Sequence, residues 1–342
     1  MIAVYIIIAI FVFGFMIFIH ELGHFIFAKK FGVAINEFSI GMGPKIVSKT
    51  GKDGICYSLR LFPIGGFVAM VGEDEESDNP NAFNKKPAWQ RFIIIAAGAC
   101  MNLLIGIIIM TALTVSTPKY GTTVIGDFIE NSISNESGLM VNDKIIKVDG
   151  ASVHTANELS YEIMRSGYQP IKVTVIRDGE KITLDNVKFP TIVSQGVTFG
   201  NMDFRVYGEK RTFSTVIKNS FYSCKSTIKM IWDSLYDLIR GRYGVEQVSG
   251  PIGVTGAISQ AAKTSAYSLF YMVVVISINL GIFNLLPIPA LDGGSLFFLL
   301  IEIIFRKPIP TKIESAIKAT GFMLLMALVV FVSFKDVIYL FK

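Results

Sequence analysis

The sequence has few charged residues, few histidines and few cysteines. Only 17% of its 342 residues are charged and 51% are hydrophobic, whereas soluble domains carry about 25% charged residues. This balance excludes a disordered chain and a collagen-like repeat, and it indicates a membrane protein with a polar domain attached. The three cysteines are far apart and form no CxxC pair, which argues against a disulfide framework and a thiolate metal site. They are Cys56, Cys100 and Cys224.

Four apolar runs account for the excess of hydrophobic residues. They cover residues 2–19, 92–117, 264–291 and 319–334. A helix needs about 20 residues to cross the hydrocarbon core, so the two middle runs predict membrane spans by length alone. The first run is long enough if its helix continues through His20 and Glu21 to Ala28. The fourth is short, so it predicts either a re-entrant segment or a span extended past Asp336 by residues 337–341.

Lysine and arginine residues indicate the orientation of these runs. They are concentrated in residues 29–91 and 306–318, which predicts that both segments face the cytoplasm. Both termini and the segment 118–263 then face outside. The formal net charge of +5 therefore indicates membrane topology rather than nucleic-acid binding. Because the first run lacks a positive region before it and a cleavage site after it, it predicts a retained span rather than a signal peptide.

The outer segment has the pattern of a small α/β domain. The predicted order is a strand at 121–128, a turn, strand and turn over 138–150, a helix at 155–165 and a hairpin over 171–187. This order resembles a PDZ domain, and the alternative is a generic α+β domain. Asn142 replaces the glycine that usually precedes Asp143, a mild departure because Asn tolerates a left-handed turn.

Residues 212–241 follow with the periodicity of an amphipathic helix. Basic residues accompany its apolar stripe, namely Lys218, Lys225, Lys229 and Arg240. Two interpretations stay open, which are packing along the outer membrane surface and packing as an ordinary helix of the domain.

The first span ends in an HExxH motif, His20-Glu21-Leu22-Gly23-His24. Residues at i and i+4 share one helical face, so two imidazoles can bind one zinc ion, and Glu21 can act as general base toward a water molecule at the metal. Ionisable residues inside a span are costly and usually functional. The alternative is a histidine pair at a helix end, with Glu21 paired to a juxtamembrane lysine.

A catalytic zinc site needs a third protein ligand. No third histidine suits, because position 30 is Lys30 and His154 lies in the outer domain. Glu37 is near in sequence but follows the span in a polar segment. Asp292 lies in a segment broken by prolines and glycines, where it would serve equally well as a ligand or as the cap of a helix over 293–305.

HExxH in the first span, together with Asn284-x-x-Pro287-x-Pro289-x-Leu291-Asp292-Gly293 in the third, resembles the site-2 protease family of intramembrane zinc metalloproteases. It is most similar to the bacterial branch typified by the regulator of sigma-E protease. Further matches are Gly41-Met42-Gly43-Pro44, Gly65-Gly66-Phe67-Val68, Gly98 with Asn102, and Ser249-Gly250-Pro251-Ile252-Gly253. The resemblance implies zinc as cofactor and Asp292 as third ligand. Enterobacterial members carry two tandem PDZ domains, whereas 118–210 has room for one.

The resemblance implies that the protein hydrolyses a peptide bond within the transmembrane helix of its substrate. It implies Asn284 as a hydrogen-bonding group for the substrate backbone or the oxyanion, beside Pro287 and Pro289. The alternative is that Asn284 satisfies the broken backbone near Pro287. Residues 57–62 and 65–70, with Gly65, Gly66 and Phe67 at the corner, are interpreted as a β-hairpin or loop whose strand edge would bind an unwound substrate. The alternative is a short hairpin with a structural role only. Gly98 and Asn102 are interpreted as helix-packing residues.

The expected partners are membrane lipid and single-pass membrane proteins, trimmed first by another protease, and no nucleic acid is expected. The expected location is the bacterial cytoplasmic membrane, with the PDZ domain outside and the active site near the cytoplasmic side. Two alternatives are an inactive membrane scaffold that binds partners through its PDZ domain, and a metal transporter.

The sequence thus predicts a mostly α-helical polytopic membrane protein with four transmembrane helices, an inserted extracytoplasmic α/β PDZ domain and a membrane-associated β-hairpin region. The predicted segments are 1–30 (first transmembrane helix), 31–90 (cytoplasmic-side segment with the β region), 91–117 (second transmembrane helix), 118–210 (PDZ domain), 211–263 (amphipathic helix and connector), 264–305 (third transmembrane helix) and 306–342 (fourth transmembrane helix).

Overall fold

The computed structural model describes residues 2–340 except 74, 76, 195, 243, 245–247 and 308. The chain divides into two compact units, a helical unit of Met1–Ile109 with Val248–Lys342 and an inserted unit of Met110–Gln247.

The helices are α1 (Ile2–Lys30), α2 (Ala88–Ser116), α3 (Ile133–Glu136), α4 (Ala156–Ser166), α5 (Phe213–Ile239), α6 (Pro251–Thr264), α7 (Ala266–Leu285), α8 (Asp292–Phe305) and α9 (Thr311–Leu340). The strands are β1 (Ile35–Thr50), β2 (Cys56–Met70), β3 (Lys119–Phe128), β4 (Lys144–Val148), β5 (Ala151–Ser152), β6 (Ile171–Arg177), β7 (Glu180–Val187), β8 (Thr191–Ser194), β9 (Val197–Gly200) and β10 (Phe204–Lys210).

Four helices of the described chain are long and apolar enough to cross a membrane. They are Val4–Lys30, Ala88–Ser116, Ala266–Leu285 and Lys312–Ile338. The first continues through the HExxH motif, as its predicted length required. The fourth continues past Asp336, so its length favours a span over a re-entrant segment.

The third apolar run is not one helix. Helix α6 ends at Thr264, Ser265 caps the start of α7 by accepting a hydrogen bond from Ser268, and α7 ends at Leu285. Residues 286–291 then form an irregular loop before α8 begins at Asp292. Pro287 and Pro289 explain the break, because proline lacks a backbone N–H and disfavours helix at the preceding residue. The predicted third segment, 264–305, therefore holds α7, a loop and α8.

Strands β1 and β2 pair in a way that the sequence did not predict. Both are bent at glycines with left-handed backbone, at Gly41 (φ 84°) and Gly43 (φ 85°) in β1 and at Gly65 (φ 96°) in β2. The first arm of β1 lies between the two arms of β2, since Ser39 faces Phe67 on one side and Ser58 on the other.

This register makes the predicted hairpin of 57–62 with 65–70 wrong, because each of those segments pairs with β1 and not with the other. The second arm of β1 also pairs with the first arm of β2, as Ser48 does with Ser58. Among the described residues, the arm 66–70 is consequently an edge of this sheet.

The inserted unit has the predicted order of elements. Its main sheet has the order β10-β3-β4-β6-β7, and the β6–β7 hairpin turns at Asp178 and Gly179, both with positive φ. Asn142 has a φ of 74°, which is the left-handed turn expected where Asn replaces Gly. The core of this unit packs around fully buried side chains that include Ile125, Ile145, Leu159, Ile163 and Val173.

Helix α5 contacts α4 through a network of charges. Arg165 on α4 binds Asp237 and Asp233 on α5 at 3.1 and 3.2 Å, and Lys229 binds Glu162 at 2.7 Å. One face of α5 is therefore a domain contact. The opposite face exposes large apolar side chains, namely Phe213, Ile217, Phe221, Trp232 and Ile239. Packing of that face along a membrane stays a prediction.

Candidate metal centre

Three candidate ligand side chains meet between α1 and the start of α8. The Nε2 atoms of His20 and His24 lie 3.2 Å apart, as expected for residues one turn apart on the same face of α1. Oδ2 of Asp292 lies 3.0 Å from Nε2 of His20 and 3.3 Å from Nε2 of His24. In the described part of the chain, these three residues form the group of acids, histidines and cysteines that could hold a metal ion.

The triangle of ligand atoms fits a tetrahedral zinc ion. Metal–ligand distances of about 2.0–2.1 Å place tetrahedral ligand atoms about 3.3–3.4 Å apart, close to the observed 3.0, 3.2 and 3.3 Å. Oδ2 of Asp292 is buried and makes no aligned hydrogen bond within the described residues. A buried carboxylate oxygen without such a partner is costly, and a cation held between it and the two imidazoles would remove that cost.

The loop between α7 and α8 carries Asp292 to the histidines. A Cβ added to Gly293 would overlap the carbonyl of Leu286, and one added to Gly294 would lie 2.8 Å from the carbonyl oxygen of Ile288. Both glycines thus allow the start of α8 to fold back onto the loop. Leu291 occupies the N-cap position, and Asp292 is the first residue of the helix. The alternative in which Asp292 is the helix cap is therefore wrong.

Helix α2 supports the two histidines from behind. Nδ1 of His24 lies 2.9 Å from the backbone carbonyl oxygen of Ile94, which accepts its hydrogen bond and leaves Nε2 facing Asp292. Glycines allow the close approach, since a Cβ on Gly23 would overlap the carbonyl of Ala97 and a Cβ on Gly98 would overlap the His24 ring. The prediction that Gly98 serves packing is thus too narrow, because the surface it packs against is the imidazole pair itself.

Glu21 lies beside the ligand triangle and is not part of it. A Cβ added to Gly66 would come within 3.4 Å of the Glu21 Cγ, and the backbone N–H of Val68 faces the Glu21 carboxylate. The edge arm 66–70 therefore runs next to the residue expected to be the general base. Gly65 and Phe67 lie on either side of this contact, with Phe67 under the guanidinium of Arg60.

Glu37, the other candidate for third ligand, lies elsewhere. Its carboxylate accepts hydrogen bonds from Ser58 at 2.6 Å and Arg60 at 2.8 Å, and it pairs with Lys45 at 2.8 Å. Burial alone would raise the pKa of Glu37, but these three partners lower it to about 2. Glu37 is a structural anion of the β1–β2 sheet.

The remaining predicted residues lie in or next to the loop before Asp292. Asn284 is in the last turn of α7 and is half-buried, Pro287 is exposed, and Pro289 packs against Gly321 of α9. Their roles toward a substrate stay predictions. The carbonyl of Ile94 was missed from the sequence, because a backbone acceptor has no signature in the residue type.

Comparison with known proteins identifies the family of this chain. A family model described as peptidase family M50 matches residues 8–328. The protein CPE1693 of Clostridium perfringens, whose name assigns it provisionally to the zinc metalloproteases, is 36% identical over 98% of this chain and 99% of its own length. The zinc metalloprotease RasP of Bacillus licheniformis is 30% identical, and the regulator of sigma-W protease RasP of Bacillus subtilis is 29% identical. Both alignments cover 97% of this chain and 98% of the relative.

Proposed function

The chain belongs to peptidase family M50 and is an intramembrane zinc metalloprotease, and we propose that it cleaves a peptide bond within the membrane-spanning helix of single-pass membrane proteins. The observation that carries this proposal is the convergence of His20, His24 and Asp292 beside Glu21, at the end of a helix long and apolar enough to span a membrane. Family membership favours this function over the inactive scaffold and the metal transporter. Within that class, the proposed substrates are anti-sigma factors or remnant signal peptides that another protease has trimmed first.

Zinc held by His20, His24 and Asp292 would supply Lewis acidity to the scissile carbonyl and to the attacking water. Glu21 lies outside the triangle, so its carboxylate remains free to accept the proton of that water. Asn284 is on the segment that carries Asp292, and its side-chain amide would donate a hydrogen bond to the substrate carbonyl as negative charge develops there.

A substrate helix must unwind before it can react, because its carbonyls are hydrogen-bonded within the helix. The edge arm 66–70 offers replacement partners for the freed backbone groups, and it runs beside Glu21. Addition of an unwound segment to this edge would place its carbonyls next to the metal ligands by main-chain hydrogen bonding alone. Such binding depends little on side chains and suits an enzyme with several substrates.

The sheet that provides this edge is suited to lipid. Its bent tips expose a set of large apolar side chains, namely Ile40, Met42, Ile46, Val47, Leu59, Leu61 and Phe62. Exposed apolar clusters of this size mark contact with a membrane or a partner. We therefore propose that the tips of this sheet are associated with the membrane, where they would meet a substrate helix before that helix reaches the metal centre.

The charge pattern supports the location that we propose. Lysine and arginine residues in 29–91 and 306–318 favour a cytoplasmic side for the HExxH end of α1, in a bacterial cytoplasmic membrane. The inserted unit would then face outside as a PDZ domain. Its order of elements and the left-handed turn at Asn142 support that assignment.

The function is tested with purified protein and a membrane-spanning reporter helix, by comparing wild type with Glu21→Gln. Wild type should cleave within the apolar segment, and the variant should lose at least about a thousandfold in rate, because the general base is removed. Zinc content should be equal in the two proteins, since Glu21 is not a ligand. Loss of zinc from the variant would contradict the role given to Glu21.

Asp292→Asn should differ from Glu21→Gln in its zinc content. This variant should lose zinc as well as activity, because an amide oxygen is a weaker ligand than a carboxylate. Glu37→Gln is its control, since it makes the same chemical change at the acid that the structure separates from the histidines. Equal zinc content in Asp292→Asn and wild type would remove Asp292 from the ligand set.

A further inference from the structure

A line of three residues on α2 runs behind the two histidines. Ile94, Gly98 and Asn102 are spaced four residues apart and therefore share one helical face. The carbonyl of Ile94 accepts the hydrogen bond of His24, and Gly98 contacts both rings. Asn102 is next to His20, with its side-chain amide 3.4 Å from the ring Nδ1. Each imidazole thus has its own partner on α2.

Asn102 has a buried oxygen without a hydrogen bond. The residue is 1% exposed, and within the described residues its Oδ1 has no hydrogen-bond partner. Its backbone carbonyl accepts a hydrogen bond of 2.7 Å from Ser277 of α7, which fixes the position of Asn102 relative to that helix. Leaving a buried amide oxygen unpaired is costly, so the missing partner of Oδ1 requires an explanation.

The chemistry of His20 supplies one. A neutral imidazole carries one ring proton, so a metal bound at Nε2 requires the proton on Nδ1. Nδ1 is then a donor and needs an acceptor. The amide nitrogen of Asn102 is also a donor and cannot fill that role. The two ends of an amide have nearly the same shape, and a rotation of about 180° exchanges them. It would bring the unpaired Oδ1 to the ring.

We propose that Asn102 is a positioning residue for the metal centre, whose Oδ1 accepts the Nδ1–H of His20 and keeps the Nε2 lone pair of that ring directed into the space enclosed by the three ligand atoms of His20, His24 and Asp292. The inference rests on the proposed ligand set. The two histidines then differ in their hydrogen-bond acceptors. His24 donates to a backbone carbonyl, which no substitution removes, whereas His20 donates to a side chain. Loss of such a partner typically lowers metal affinity 10–100-fold.

The test compares zinc affinities of full-length protein in detergent, measured by competition with a chelator of known affinity. Asn102→Leu keeps the volume and removes the acceptor, so its affinity should fall 10–100-fold. Asn102→Asp has an acceptor at both positions of the amide group, so its affinity should stay within about threefold of wild type. Rescue by Asp and not by Leu is a pattern that loss of packing alone would not give.

Three further measurements make the outcome decisive. Thr114→Val changes another buried polar residue of α2 and should leave zinc affinity unchanged. The unfolding midpoint of each variant is measured with chelator and with zinc, so that the zinc-induced increase is read separately from the stability of the protein. Asn102→Met serves as a second variant without the amide acceptor if Asn102→Leu does not insert.

Wild-type affinity in Asn102→Leu would overturn the proposal, as would equal losses in the Leu and Asp variants. His20→Ala distinguishes this failure from failure of the ligand set. If His20→Ala binds zinc like wild type, the ligand set is wrong. If His20→Ala loses zinc and Asn102→Leu does not, only the role of Asn102 is wrong.

Discussion

At the scale of single residues, Gly98 sets how closely α2 can approach the metal ligands. An added Cβ there would overlap Nε2 of His24 and lie 2.6 Å from Cε1 of His24 and 2.8 Å from Cε1 of His20. Those ring atoms are constrained by Ile94 and Asp292, so they cannot move aside without opening the ligand triangle. Gly98 is therefore required by a close approach of backbone to imidazole.

We expect Gly98→Ala to lower zinc affinity at least tenfold and to abolish cleavage, because the methyl group would push both rings away from Asp292. Overpacking of this kind costs about 1–3 kcal/mol, and zinc content and reporter cleavage measure its effect. The matched control is Gly256→Ala in α6, where an added Cβ has no neighbour within 4 Å. That variant should keep full zinc and gain up to about 1 kcal/mol of stability from helix propensity. Wild-type zinc affinity in Gly98→Ala would show that the rings have room that the structure does not indicate.

The residues of the metal centre differ in how far the sequence predicts them. The i,i+4 spacing and the apolar run identify His20, Glu21 and His24 locally. For Asp292, the sequence supports a role as metal ligand and a role as helix cap equally well. A local pattern does not show which distant helix a side chain contacts. This ambiguity is removed by the fold of the loop at Gly293 and Gly294, whose close contacts turn the carboxylate toward α1.

At the scale of elements, the β1–β2 sheet shows where sequence patterns fail. Both strands alternate and bend at glycines, so a hairpin between neighbouring segments is the simplest prediction. The structure instead places the first arm of β1 between the two arms of β2. The carboxylate of Glu37 joins the arms, since it lies on β1 and binds Ser58 and Arg60 of β2. Hydrophobic periodicity does not predict a carboxylate that pairs across strands in this way.

This element gives a prediction about pH. The pKa of Glu37 is lowered from its ordinary value of 4.5 to about 2, so its contribution to stability is complete above 4.5 and is lost as pH falls toward 2. We expect the unfolding midpoint of wild type to exceed that of Glu37→Gln by a few degrees near neutral pH. The difference should shrink as pH falls through about 4 and 3. Chelator in all samples keeps metal loss out of the comparison. A difference independent of pH would show that the lost contact is steric and not ionic.

At the scale of the whole molecule, hydropathy predicts the number of spans, and strand and turn signals predict the order of elements in the inserted unit. The boundary of that unit is less predictable, because α2 continues through it to Ser116 without a break in its pattern. In the structure, the strand register shows where the chain enters and leaves this unit. Lys119 of β3 pairs with Lys210 of β10, so the chain enters and leaves the sheet of the inserted unit side by side.

This proximity allows residues 119–210 to be replaced by a short linker. The deletion also removes α4, so the contact face of α5 loses its charged partners. The result separates a filter from a catalytic part. We expect a variant with residues 119–210 replaced by a short Gly-Ser linker to bind zinc like wild type. All of the proposed ligands and Glu21 lie in the helical unit, so cleavage of a reporter with a short outer tail should stay within about tenfold of wild type. Cleavage of a reporter with a folded outer domain should rise, because the proposed PDZ domain no longer excludes it. Glu21→Gln in the same background controls for contaminating proteases. If a correctly inserted, zinc-loaded variant cleaves neither reporter, the inserted unit takes part in positioning the substrate at the metal and is more than a filter.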